Sequence, residues 1–142
     1  MKEFNVRVYG ILKDPQSRVL LSREVFHEIE MVKFPGGGLV PGEGIVDCLR
    51  REWREELNAH VSLWQHFYTT EFYQKSAFDD RQILSVYYFV ELESMKLSFE
   101  ARTESKEREF FWHDVNDELV EILTFPIDKE VGRKLNLANV IS

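Results

Sequence analysis

Residues 37–59, GGLVPGEGIVDCLRREWREELNA, hold the pattern that decides the fold of this chain. Four apolar residues recur at every fourth position and predict a helix over residues 44–57 with a single apolar stripe. These residues are Ile45, Leu49, Trp53 and Leu57. Three glutamates share a face beside that stripe, because residues i, i+3 and i+4 lie on the same side of a helix. They are Glu52, Glu55 and Glu56.

The glutamate face is a candidate metal-binding surface. Carboxylates at this spacing repel one another, and a hard divalent cation such as Mg²⁺ would reverse that cost because carboxylate oxygens are its preferred ligands. Directly upstream, Gly36-Gly37-Gly38 and Pro41-Gly42-Glu43 predict a bendable loop whose backbone allows a ligand to come close. A dinucleotide fingerprint and a P-loop are both excluded, since no Gly-Lys-Ser/Thr follows and Pro41 replaces the third fingerprint glycine. The loop and helix together suit a diphosphate bridged by a metal ion.

The same stretch resembles the Nudix box, a family pattern written G-x5-E-x7-R-E-U-x-E-E-x-G-U, in which U is a bulky apolar residue. All six charged and glycine anchors match at the required spacing: Gly37, Glu43, Arg51, Glu52, Glu55 and Glu56. Asn58 stands where the family has glycine, and asparagine tolerates the left-handed conformation better than most residues. Val40 occupies a position that is often Glu, and Ala59 is small for its apolar position. None of these departures removes a presumed metal ligand.

The resemblance implies an α/β protein with the Nudix fold, an α/β/α sandwich around a central mixed β-sheet, formed by one domain over residues 1–142. The residue pattern by itself predicts a hairpin between strands at 4–12 and 19–22, a loop at 26–32 and a short strand at 33–34. It then predicts strands at 61–73 and 83–92 around a polar loop at 74–81, a strand at 110–112, a short helix at 115–123 and a last helix after Pro126.

The resemblance also implies roles for single residues. Glu52 and Glu56 would be the principal Mg²⁺ ligands, Glu55 a further or water-mediated ligand, and the carbonyl of Gly36 an additional oxygen. Mn²⁺ is a possible substitute for Mg²⁺. Arg51 would orient the neighbouring carboxylates, and Gly37 and Glu43 would support the loop.

The general base stays open between two candidates. One is Glu52, and the other is a glutamate of the 98–109 segment, for which Glu104 and Glu107 are the first choices. Because Lys106 and Arg108 interrupt that segment, its glutamates are equally consistent with alternating surface charge.

The activity implied by the resemblance is hydrolysis of the pyrophosphate linkage of a nucleotide or nucleoside diphosphate derivative by metal-activated water. The alternatives are a Nudix-fold module that binds and senses a nucleotide without hydrolysis, and an isomerase on the same fold. Sequence markers for NADH-type, ADP-ribose and coenzyme A substrates are absent, so nucleoside triphosphates and nucleotide sugars remain open. Four residues near the 74–81 loop are candidate substrate contacts, although core packing and a solvated loop tip are competing interpretations: Phe72, Tyr73, Phe78 and Arg81.

The formal net charge of the 142-residue chain is −7, and most of the excess lies in residues 91–121, which carry ten acids and four bases. An acidic surface argues against nucleic acid as a partner. The apolar runs are too short to cross a membrane, and residues 1–7 lack the apolar core of a signal peptide. The single cysteine, Cys48, is interpreted as a packing thiol and fits a cytoplasmic location. A nucleotide-type small molecule is the expected partner, and a homodimer is possible by family habit.

Overall fold

The computed structural model describes residues 3–93 and 108–141. In chain order, these residues form the following strands and helices: β1 Phe4–Ile11, β2 Val19–Phe26, β3 Ile29–Lys33, β4 Gly36–Gly38, α1 Ile45–Leu57, β5 Val61–Thr69, β6 Gln82–Leu92, β7 Arg108–His113, α2 Asp117–Ile122 and α3 Pro126–Ile141. No helix in this part of the chain has the length and apolarity needed to span a membrane.

The described residues divide into two compact units. The first comprises residues 3–11 and 36–93, and it holds a four-stranded sheet in the order β4-β1-β6-β5. The β1–β6 pair is parallel, whereas β1–β4 and β5–β6 are antiparallel, so the sheet is mixed. Helix α1 packs on one face of it, where the buried Trp53 ring leaves no room for a side chain at Gly10.

The second unit comprises residues 12–35 and 108–141. Its three strands form an antiparallel sheet in the order β3-β2-β7. Helices α2 and α3 contact each other and bury Leu119, Val131 and Leu135. The predicted α/β class with a mixed sheet is therefore confirmed.

The glutamate-bearing helix was predicted at its observed position. Its N-cap is Gly44, whose N–H donates to the Asp47 side chain at 3.3 Å. Its C-cap is Asn58, which adopts the left-handed conformation with φ 50° and ψ 35°. Asn58 thus adopts the left-handed backbone conformation for which the family pattern has glycine, as expected because asparagine tolerates this conformation.

The predicted hairpin between the first two strands is present only next to its turn, where Lys13 and Val19 form an antiparallel bridge and the Leu20 N–H donates to the Leu12 carbonyl at 3.1 Å. The turn exists, because the Asp14 side chain accepts hydrogen bonds from the N–H groups of Gln16 and Arg18 at 2.9 and 2.8 Å. However, β1 pairs with β4 on one side and β6 on the other, while β2 pairs with β3 and β7. Both edges of β1 are already hydrogen-bonded to other strands, so β1 has no free edge with which β2 could pair.

The segment predicted as a loop at 26–32 instead forms a second hairpin. Strand β3 begins at Ile29, and the turn consists of His27 and Glu28, both with positive φ (50° and 65°). This is the backbone pattern of a type I′ turn, which normally carries Asn and Gly. The unusual turn residues explain why the sequence did not reveal the hairpin.

The other differences concern the ends of elements. Strand β3 stops at Lys33, before Phe34, and β5 stops at Thr69, so the predicted strand at 61–73 is too long. Phe72 and Tyr73 consequently lie in the connection to β6. The predicted helix at 115–123 is shorter, over Asp117–Ile122, and the last helix starts at Pro126 as expected.

Candidate active site

The glycines of β4 allow close contacts with strand β1 and with the acidic helix. Gly36 has φ +157°, and a Cβ there would lie 2.7 Å from the Cα of Tyr9, so only glycine fits. A Cβ on Gly37 would lie 2.5 and 2.6 Å from the two carboxylate oxygens of Glu52. The Glu52 carboxylate therefore occupies the space that a side chain at residue 37 would need.

The Arg51 guanidinium connects the loop to the helix. Its Nε and Nη2 donate to the two oxygens of Glu43 at 3.0 and 2.7 Å, and Nη2 also donates to the Gly38 carbonyl at 3.1 Å. On the helix, Nη1 donates to Glu52 at 2.9 Å and to Glu55 at 3.5 Å. Arg51 thus joins Glu43 of the loop, the glycine strand β4, and Glu52 and Glu55 of the helix in a single hydrogen-bond network.

This network fixes the ionisation of its members. Hydrogen bonds from Arg51 lower the pKa of Glu43 to about 2, and the same bonds raise the pKa of Arg51. Glu43 also accepts a hydrogen bond from the Val40 N–H at 3.1 Å. Glu43 therefore stays a carboxylate over the physiological range and ties the loop backbone to the helix through Arg51.

Cys48 lies under the same loop. The residue is fully buried, and its Sγ is 3.5 Å from the Gly38 carbonyl oxygen. Burial, reinforced by the neighbouring Glu43, raises the pKa of the thiol to about 12. A thiol held protonated in this way is a packing group and not a nucleophile.

The three helix glutamates differ in their exposure. The Glu52 side chain is 15% exposed, that of Glu55 is 56% exposed, and Glu56 is half-buried. Glu104 and Glu107, the alternative candidates for the general base, lie outside the described residues. Within residues 3–93 and 108–141, no three His, Cys, Asp or Glu side chains are grouped so as to hold a metal ion.

The residues present nevertheless fit a hard cation. The side-chain space above Gly37 is filled by a carboxylate, so Glu52 lies directly against the backbone of β4. Carboxylate and backbone carbonyl oxygens are the donors that Mg²⁺ and Mn²⁺ prefer. Glu55 and Glu56 supply further carboxylates from the same helix.

The predicted substrate contacts lie on the connection between β5 and β6. Phe72, Tyr73 and Phe78 are 41%, 64% and 44% exposed, so core packing, the competing interpretation for Phe72 and Tyr73, does not apply. Arg81 is held by Asp79, with its Nε 3.0 Å and its Nη2 2.9 Å from one carboxylate oxygen. Contact of these four residues with a substrate stays a prediction.

Sequence reasoning did not single out Arg7. In the sheet, this residue lies directly opposite Gly38 of the glycine strand. The available signal was a single arginine inside an otherwise apolar strand, VRVYGI over residues 6–11. The surroundings of such a residue can be identified only when the strand pairing is known, because the pairing decides which residues lie beside it.

In this α/β fold, one arginine joins the glycine strand β4 to a glutamate-rich helix, which is the arrangement that the spacing of the box residues predicted. The chain belongs to the Nudix family, since the NUDIX domain model matches residues 3–135. No curated protein matches its sequence.

Three solved structures illustrate the likeness. A NUDIX hydrolase from Nitrosomonas europaea is 18% identical, with a TM-score of 0.75 and coverage of 96% of this chain and 90% of that one. A MutT protein from Methanosarcina mazei is 16% identical, with a TM-score of 0.72 and coverage of 97% and 96%. A mutator MutT protein from Bacillus halodurans is 20% identical, with a TM-score of 0.67 and coverage of 91% and 80%. At these identities the likeness establishes the fold, and the substrate has to be argued from the site.

Proposed function

We propose that this protein is a Mg²⁺-dependent hydrolase that cleaves the pyrophosphate linkage of a nucleotide or nucleoside diphosphate derivative. The observation that carries the proposal is the position of the Glu52 carboxylate against the backbone at Gly37, held there by Arg51. This arrangement brings hard oxygen donors next to a strand without side chains.

The residues that would hold the metal are Glu52 and Glu56, with Glu55 as a further ligand and the Gly36 carbonyl as an additional oxygen. When bound, Mg²⁺ neutralises phosphate charge and lowers the pKa of the attacking water, and Mn²⁺ has the same chemistry. An acidic protein with a net charge of −7 thereby becomes able to bind an anionic diphosphate.

The chain's own residues supply orientation and proton transfer. Arg51 keeps the Glu52 carboxylate directed at the glycine strand, and Glu43 keeps Arg51 in place by accepting two of its hydrogen bonds. A carboxylate has to accept the proton of the attacking water. Glu52 and a glutamate of the 98–109 segment, Glu104 or Glu107, remain the two candidates for this base.

The decisive experiment is the Glu56→Gln variant. We expect turnover with Mg²⁺ to fall at least a hundredfold, because the amide is a poorer ligand for a hard cation, while the circular dichroism spectrum stays unchanged. Glu121→Gln, at an exposed glutamate of α2, is the matched control and should keep full activity. Near-normal turnover of Glu56→Gln would contradict the proposal. The assay should use a panel of nucleoside triphosphates and nucleotide sugars with Mg²⁺ and with Mn²⁺.

The same panel separates hydrolysis from the binding-only alternative. Phosphate release would accompany a ligand-induced rise in melting temperature if the protein is an enzyme, whereas a sensor would show only the rise in melting temperature. Retention of all six anchors of the Nudix box favours the enzyme. A homodimer and a cytoplasmic location stay predictions, and sedimentation of the purified chain would test the former.

A further inference from the structure

Arg7 lies on the face of the mixed sheet opposite to α1. Successive side chains of a strand point to opposite faces. The Cβ positions of Gly10 in β1 and Gly37 in β4 are directed at Trp53 and Glu52 of the helix. Arg7 is an odd number of positions from Gly10, and it is paired with Gly38 rather than Gly37. Its side chain therefore belongs to the other face.

Small residues flank Arg7 in the sheet. Its partner on β4 is Gly38, and its partner on β6 is Ser85, so a residue without a side chain and a small one flank it. A Cβ on Gly38 would be 3.6 Å from Arg7 Nη1 and 3.9 Å from Asn5 Oδ1, which are ordinary contact distances. The guanidinium thus lies above a glycine in the outer strand of the four-stranded sheet.

Tyr9 holds the guanidinium in place. Arg7 Nε donates to the Tyr9 hydroxyl at 2.6 Å, and Arg7 Cζ is 5.7 Å from the centre of the Tyr9 ring. Tyr9 is itself buried and stacks on the buried Tyr87 with ring centres 5.2 Å apart. An arginine oriented through Nε by a rigid aromatic pair loses little entropy when its planar fork binds an oxyanion.

A second cation lies at the same end of the sheet. Arg81 directly precedes Gln82, the residue of β6 that pairs with Phe4 of β1. The hydrogen bond to Asp79 raises the pKa of Arg81, and the positive charge of Arg7 opposes that rise. Arg7 and Arg81 are therefore close enough for their charges to interact, while Asp79 and Glu3 offset the charge of Arg81.

We propose that Arg7 binds an anionic phosphate of the substrate beyond the part held at the glutamate face, and that Tyr9 is its positioning residue. The glycine strand separates the two groups: Glu52 lies against Gly37 on one face, and Arg7 lies against Gly38 on the other. Gly37 and Gly38 are consecutive residues of β4, so the two groups lie beside neighbouring positions of one strand. This inference rests on the proposed function for the identity of the ligand, but the anion site is testable without hydrolysis.

The first test is calorimetric titration with inorganic tripolyphosphate in EDTA, which removes any contribution from a bound metal. We expect Arg7→Ala and Arg7→Gln to weaken binding at least tenfold, Arg7→Lys to weaken it about threefold, and Tyr9→Phe to fall between the wild type and Arg7→Ala. Arg18→Ala removes an arginine whose side chain is 38% exposed and paired with Asp14, and it should bind as the wild type does. Equal affinity of the Arg7 variants and the wild type, or no binding by the wild type, would overturn the inference.

The second test uses a nucleotide that the wild type hydrolyses. Arg7→Ala should raise KM at least tenfold and change kcat less than threefold, with an unchanged melting temperature, and Tyr9→Phe should raise KM to a smaller extent. A fall in kcat at constant KM would assign Arg7 a different role and overturn the inference. If the wild type hydrolyses no nucleotide, the proposed function fails, while the tripolyphosphate titration still decides whether Arg7 binds phosphate.

Discussion

At the scale of single residues, Gly36 and Gly37 are required for different reasons. A side chain at Gly36 would collide with the backbone of Val8 and Tyr9, which does not move without disturbing the sheet. A side chain at Gly37 would meet the end of the Glu52 side chain, which is able to swing away. The same glycine-to-alanine change should therefore damage stability at one position and activity at the next.

We expect Gly37→Ala to lower turnover at least tenfold with a loss of less than about 1 kcal/mol in the free energy of unfolding. Gly36→Ala should cost about 1–3 kcal/mol, because its φ of +157° is strained for any other residue. Gly44→Ala, at an N-cap with φ −84°, is the control: it should cost about 0.5–1 kcal/mol, because alanine is a poorer N-cap than glycine, and it should leave turnover unchanged. Urea denaturation and steady-state kinetics on the three variants would check this. An active Gly37→Ala would show that the Glu52 position is unimportant.

Arg51 tests whether fork geometry matters in addition to charge. Arg51→Lys keeps the positive charge but loses the simultaneous contacts to Glu43, Glu52 and the Gly38 carbonyl. We expect turnover to fall about tenfold or more. Arg54→Lys, at an exposed position of the same helix, is the matched control and should retain wild-type turnover. Similar rates for both variants would argue that Arg51 acts only through its charge.

The residues of the site were predictable to different degrees. The box residues could be found because their spacing in one helix and one loop is visible along the chain. Arg7 could not, because its position depends on pairing between β1, β4 and β6, which are far apart in sequence. The 98–109 glutamates were predictable as candidates, but their roles depend on contacts that no local pattern encodes.

At the scale of secondary structure elements, strength of periodicity decided which predictions succeeded. Helix α1 has an apolar stripe of four residues and ends at Asn58, which tolerates the left-handed conformation, so its position was predicted correctly. The β1–β2 hairpin extends no further than the bridge next to its turn, because the Asp14 turn signals only a change of direction, whereas strand partners are chosen by long-range pairing. The β2–β3 hairpin was missed because His27 and Glu28 are unusual turn residues.

Glu28→Gly should therefore stabilise the β2–β3 hairpin. Glu28 has φ 65°, a conformation that glycine adopts without the cost of about 1 kcal/mol paid by other residues. We expect a gain of about 0.5–1 kcal/mol in the free energy of unfolding, measured by urea denaturation. Glu30→Gly, within β3, is a control with the opposite expected effect. It should lower the free energy of unfolding, because glycine weakens the interior of a strand. A loss of stability in Glu28→Gly would contradict the assigned turn.

The three strands of the second unit are also joined by an ion network. Glu24 of β2 accepts hydrogen bonds from Arg108 of β7 and pairs with Lys33 of β3 at 2.8 Å. Burial raises the pKa of Glu24, but the opposing effect of Lys33 and Arg108 is larger, so the pKa lies below its ordinary value of 4.5. Because the pKa is lower in the folded state, the stabilisation is complete above pH 4.5 and is lost as the pH falls through the folded-state pKa.

The free energy of unfolding should accordingly fall on acidification below pH 4.5, and Glu24→Gln should flatten that part of the profile. The variant leaves two cations without their carboxylate, at a cost of about 1–3 kcal/mol near neutral pH. Glu28→Gln, an exposed turn glutamate, is the control and should keep the wild-type slope. Urea denaturation at several pH values would measure both. Parallel profiles for Glu24→Gln and the wild type would contradict the pairing.

At the scale of the whole molecule, the charge distribution links the fold to the proposed metal. The net charge of −7 disfavours an anionic substrate unless cations are bound, and the helix glutamates are the groups on which they would be expected. Binding of a metal to the folded chain must stabilise it by mass action, by about 2.7 kcal/mol when the metal is at one hundred times its dissociation constant. This gain is a thermodynamic property of the folded chain and does not depend on knowing the substrate.

Mg²⁺ and Mn²⁺ should therefore raise the melting temperature of the wild type, and EDTA should reverse the rise and abolish turnover. General screening of a −7 chain by salt would also raise the melting temperature, so NaCl at matched ionic strength has to be the reference. The rise beyond that reference should be lost in Glu56→Gln and kept in Glu121→Gln, because only the former removes a proposed ligand. An equal response of both variants would show that the divalent cations act on the overall charge and not on the glutamate face.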